Sequence, residues 1–162
     1  MSEPVADTVI EDERWETAGL PMLADRAVRA TLNWLGTGGE VVVLGCGDPR
    51  IAALNADFRG KPQATNVLSW PSSPPERPAP GAAPILPDED ELGDVAIAYD
   101  TCMAEAAAQG KAPADHVTHL LIHAVLHLVG YDHETDPDAE TMESAERAIL
   151  ATLGIADPYS ET

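Results

Sequence analysis

The apolar residues of this chain fall into two kinds of run. Short runs rich in β-branched residues read as strands: VADTVIE at 5–11, EVVVLGC at 40–46, ATNVLSW at 64–70 and GDVAIAYD around 93–99. Longer stretches read as helices. Leu23, Ala27, Ala30, Leu32, Trp34 and Leu35 follow a loose helical period and predict a helix over 21–35, ended by Gly36. Asp48 and Pro49 open a second helix that closes at Gly60, and TCMAEAAAQG forms a third, closing at Gly110. APADHVTHLLIHAVLHLVG is the most apolar helix, and DPDAETMESAERAILATLG is a final amphipathic one, with Asp136 and Asp138 near its positive end and Gly154 at its stop.

Strands interleave with helices and then give way to helices alone. This order predicts an α+β (α/β layered) fold: a single mixed sheet of about four strands packed with about five helices. Residues 71–91 hold half of the chain's 14 prolines and end in the acidic run DEDE, so they are expected to form a long exposed loop inside one domain spanning 1–162. At 162 residues the chain can bury a full core without staples. Only 4% of its residues are aromatic, so that core is built from Ala, Val, Leu and Ile.

Charge and cysteines narrow the classes. A net charge of −19 argues against broad binding of nucleic acid through phosphate neutralisation and suits a basic protein partner. A local basic cleft is still compatible with that total, and Arg50, Arg59 and Lys61 lie close together in sequence. Cys46 and Cys102 are too few for a disulfide framework and too far apart for a Cys-x-x-Cys site, which fits a reducing compartment. The first residues have neither a basic nor an apolar leader region, and histidines interrupt the greasy stretch at 120–129, so a soluble, cytoplasmic protein is expected.

Those histidines carry the chemistry. HLLIHAVLHLVGYDH, residues 119–133, holds four of the five in the chain. His123 and His127 are four residues apart and share one helix face, so both can bind one metal. Gly130 can end the helix with a positive φ and let the chain return through Tyr131 and Asp132 to bring His133 to the same point. Three neutral nitrogens with a fourth position open are the donor set of a catalytic zinc, although nickel and copper also suit it. The spacing His-x-x-x-His-x-x-Gly-x-x-His matches the zincin-like metzincin pattern except at Ala124, where those proteases carry a glutamate base. Alanine takes no proton, which disfavours peptide hydrolysis by that route. His116 reads as an ordinary packed residue, and so does His119, which, one turn back on the metal-facing side, has the alternative of standing behind a ligand. Asp132 is the nearest candidate for a fourth ligand or for an acceptor behind one.

HAVLHLVGYDHE, together with LNADFRGKPQATNVLSWP at 54–71 and ELGDVAIAYD at 91–100, resembles the YbeY family of bacterial endoribonucleases, with the three motifs in the family's order. The family commonly has glycine at the position of Ala124 and phenylalanine at that of Trp70. The resemblance implies a metal-dependent hydrolase that cuts single-stranded RNA, acting in maturation of the small-subunit ribosomal RNA 3′ end and in ribosome quality control. It further implies one zinc per chain on His123, His127 and His133, a functional arginine at Arg59, and partners among small-subunit proteins and assembly factors; neither a membrane nor DNA is an expected partner.

The corresponding mechanism assigns His123 and Arg59 to the catalytic centre, with the guanidinium clamping a phosphate and Lys61 and Arg50 as candidate auxiliary contacts. Trp70 reads more simply as cover for the core than as a base-stacking ring. Two other functions compete: a metal-stabilised ribosome assembly factor with no chemistry of its own, and a metalloprotease-like hydrolase.

Overall fold

In the computed structural model, which describes residues 5–73, 79–86 and 90–159, four strands form one mixed sheet in the order β1-β2-β4-β3. β1 is Ala6–Ile10, β2 Glu40–Cys46, β3 Val67–Pro71 and β4 Glu91–Ala98. β1, β2 and β4 run parallel, whereas β3 lies antiparallel to β4, Leu68 opposite Ala96, at one end of the strand order. The five expected helices are α2 (Leu20–Leu35), α3 (Asp48–Arg59), α4 (Tyr99–Gln109), α5 (Pro113–Leu128) and α6 (Asp136–Thr152). A sixth, α1, is a single turn at Arg14–Thr17. Its four residues are too few to show a period; what holds it is the buried Trp15, whose indole Nε1–H donates to the Cys46 carbonyl at 2.9 Å.

Strand periodicity divides the interior. Val41 and Val43 of β2, with Val95 and Ile97 of β4, face a large core closed by α2, α5 and α6. Leu44, Cys46, Ala96 and Ala98 point the other way, onto Ile51 and Leu54 of α3. The period of two thus places α3 alone on one face and the histidine-bearing α5 inside the three-helix layer on the other. Leu121, Ile122, Leu126 and Leu128 of α5 are fully buried, each contributing roughly 1.5–3 kcal/mol relative to exposure. This anchoring fixes the remaining face of the helix, on which the imidazoles stand.

The close fit of α5 on the sheet depends on Gly93. A Cβ there would lie 2.3 Å from the Trp70 carbonyl oxygen and 2.8 Å from Leu128, and φ is +149°. Glycine therefore lets β3, β4 and α5 meet.

Of the expected loop at 71–91, residues 74–78 and 87–89 lie outside the described residues. The segment between them is tied to α6: the Gly81 N–H donates to Asp138 at 2.7 Å, and the Thr141 hydroxyl donates to the Gly81 carbonyl at 2.6 Å. Pro84 is buried. Among the described residues no helix is long and apolar enough to cross a membrane.

Candidate metal centre

α5 delivers two of the three expected ligands and the turn after it delivers the third. The Gly130 N–H donates to the His127 carbonyl and the Tyr131 N–H to that of Leu126, which closes the helix. Gly130 itself has φ +112°, where a side chain would be strained, and this reversal returns His133 toward the helix. The Asp132 carboxylate accepts from the His133 N–H at 2.7 Å and stiffens the last step.

The result is a tight cluster. Ring centroids are 4.8 Å apart for His123 and His127, 5.2 Å for His127 and His133, and 5.4 Å for His123 and His133. One nitrogen from each lies within 4.8 Å of the other two, and among the described residues this group contains the three histidines alone. Asp132 serves the turn and is not a member. Burial, then the neighbouring His123 and His133, pushes the His127 imidazole down to about 4. Its ring is neutral at pH 7 and its lone pair is available. Proximity, a neutral His127 and the absence of a fourth protein donor among the described residues fit one metal ion with an open coordination position.

The cluster opens into a cleft of about 900 Å³ whose other walls are the C-terminal end of α3, the segment leading into β3, and β3 itself. Arg59 and Lys61 line it together with the three histidines. Arg59 is the last residue of α3, and its Nη2 donates to the Ser69 carbonyl of the edge strand at 3.3 Å. No carboxylate among the described residues pairs with it. Arg50 does not join this site. It sits at the opposite end of α3 and pairs with Glu11 at 3.2 Å beside a different depression. Trp70 is not in the cleft lining; it packs edge-on against Phe58, with centroids 5.4 Å apart, as cover for the smaller core.

His116 and His119 both have partners. His116 Nε2 lies 3.0 Å from Glu105, away from the cleft. His119 lines the cleft and its Nε2 lies 2.6 Å from Glu146 Oε1. The other oxygen of Glu146 is 2.8 Å from His123 Nδ1. Burial raises the Glu146 carboxyl, but hydrogen bonds from His119 and His123 outweigh it and bring it down to about 2, so it is an anion with no solvent exposure.

Sequence reasoning missed Glu146. The available signal was a carboxylate between Ala145 and Ile149 on the buried stripe of α6, where a charge needs partners. Cys46 and Cys102 are buried, free thiols raised by that burial, which leaves them no role as nucleophiles. Ala124 is buried in the wall beside the cluster and offers no base.

The chain has extensive relatives. Residues 9–154 match the family model described as Endoribonuclease YbeY. A Paracoccus denitrificans protein named Endoribonuclease YbeY is 64% identical over 156 residues, covering 96% of this chain and 90% of its own length. A Cereibacter sphaeroides protein of the same name is 55% identical over 166 residues, covering 97% and 99%. The solution structure of TM1509 from Thermotoga maritima superposes with a TM-score of 0.56 at 20% identity, covering 96% of this chain and 99% of that one, a likeness of fold. With the family model spanning most of the sequence and relatives this similar along their whole length, the chain belongs to the YbeY endoribonuclease family.

Proposed function

We propose that this protein is a zinc-dependent endoribonuclease that cuts single-stranded RNA, acting in small-subunit ribosomal RNA 3′-end maturation and ribosome quality control in the cytoplasm. Residues 1–162 act as one domain in this reading. The observation that carries it is the placement on one cleft of three imidazoles whose nitrogens converge and an arginine that has no acidic partner among the described residues. Its family membership supports RNA as the substrate.

His123, His127 and His133 hold the ion through one nitrogen each. Zinc bound there supplies Lewis acidity and a lowered pKa for water. Arg59 binds the scissile phosphate, because a planar guanidinium matches two phosphate oxygens and gains strength as negative charge builds on them. Its bond to the Ser69 carbonyl holds the side chain along β3, aimed by an edge strand and not by a competing anion. Lys61 adds a mobile positive charge on the same wall. The negative total charge keeps non-specific polyanion binding low and favours basic ribosomal proteins and assembly factors as docking partners.

The test offers the full chain a labelled single-stranded RNA, the same sequence as a duplex, and an unfolded protein, each with zinc and with chelator. Zinc-dependent cutting of the single strand alone is expected. Metal bound without any cutting would favour the assembly-factor reading, and cutting of protein would favour the protease-like one.

A further inference from the structure

The Glu146 side chain has no exposed surface, and among the described residues its partners are two imidazoles and a phenol, with no arginine or lysine. Its two oxygens each face one imidazole: His123 Nδ1 lies 2.8 Å from Oε2 and His119 Nε2 lies 2.6 Å from Oε1. With Nδ1 of His123 turned to the carboxyl group, Nε2 is the ring nitrogen left to face an ion. Oε1 also accepts from the hydroxyl of Tyr159, which comes from the segment following α6.

That segment is clamped in place. Arg147 pairs with Asp157 at 3.2 Å and lies over the Tyr159 ring at 5.3 Å, and the Asp157 carboxylate accepts from the Tyr159 N–H at 2.8 Å. The Tyr159 ring meets His119 edge-on with centroids 5.6 Å apart, and both line the cleft.

We propose that Glu146, supported by Tyr159 and His119, is a positioning residue for the metal: its carboxyl group takes up the Nδ1 side of His123, fixing the tautomer and orientation of the ring so that Nε2 is presented to the ion. The segment after α6 is thereby part of the metal site, although it supplies no ligand. This rests on the zinc reading above. Carboxylates behind a ligating imidazole typically account for about 10–100-fold in metal affinity. Glu146→Gln keeps the size but replaces one acceptor oxygen with a donor, so one imidazole proton meets another donor. Tyr159→Phe removes one hydrogen bond to Oε1 at the rim.

The experiment measures zinc affinity of the full chain by competition with a chromophoric chelator, with circular dichroism as the check on folding. Glu146→Gln is expected to bind zinc about 10–100-fold more weakly at unchanged helicity, and Tyr159→Phe to weaken binding by a smaller factor. Imidazole ¹⁵N spectra of the wild-type protein read the tautomer without any substitution and are expected to show His123 protonated at Nδ1. Wild-type affinity in a folded Glu146→Gln protein, with His127→Ala failing to bind, would overturn the positioning role and leave the zinc reading standing. If Glu146→Gln does not fold, unchanged affinity in Tyr159→Phe or the opposite His123 tautomer would overturn it equally. No zinc bound by the wild type would overturn both.

Discussion

The two ends of α3 each present an arginine, and their surroundings could hardly differ more. At the N-terminal end Arg50 pairs with Glu11, and nearby Arg14 is held between Asp12 and Asp100 with its guanidinium over Tyr99. Every cation in that corner has an anion. At the C-terminal end Arg59 has the Ser69 carbonyl and, among the described residues, no carboxylate, and it shares a cleft with three histidines whose nitrogens converge. A guanidinium neutralised by carboxylates fastens the fold, whereas one aimed by a carbonyl keeps its charge for a ligand. In the acidic chain Arg59, Lys61 and the histidine cluster line one cleft, the place that the proposed function gives to a phosphate.

Substitutions can break this contrast. The largest effect is expected from His127→Ala, which removes one of the three donors: zinc content measured by elemental analysis should fall from one ion per chain to none, and cleavage should vanish with it. Arg59→Ala comes next, with cleavage about a hundredfold slower at unchanged zinc content, in the range for losing one oriented donor to a charged transition state; single-turnover kinetics with zinc analysis checks both. Gly130→Ala forces a side chain into φ +112° at a cost of about 1–3 kcal/mol. Because that turn delivers His133, thermal unfolding and zinc titration should report lower stability and weaker zinc binding together. Arg50→Ala should do least. Its exposed pair with Glu11 is worth at most about 1 kcal/mol, and cleavage should stay within about twofold of wild type. A large loss of cleavage in Arg50→Ala with none in Arg59→Ala would reverse the assignment of the two corners.

The contrast also explains which parts of the molecule could be read from sequence. The imidazole cluster depends on local geometry: helical spacing joins His123 to His127, and a glycine turn of known conformation adds His133. The strands and the five long helices follow from periodicity in the same way. Arg50 shows the limit. It lies nine positions before Arg59, but along a helix that is about 14 Å, so proximity in sequence places the two at opposite ends of α3. Glu146 shows another limit. It meets His123 from 23 residues away through the packing of α6 on α5, and no local rule distinguishes it from the other acids of an amphipathic helix. The strand order and the antiparallel β3 are likewise set by long-range pairing, and α1 by the burial of a single tryptophan.

The claim that the histidine cluster drives RNA cleavage is tested most directly by stripping the wild-type protein of metal, assaying a labelled single-stranded RNA, and restoring zinc. Cleavage should disappear on stripping and return as zinc reaches one equivalent per chain. Cleavage that persists at full rate in the stripped protein would contradict the account.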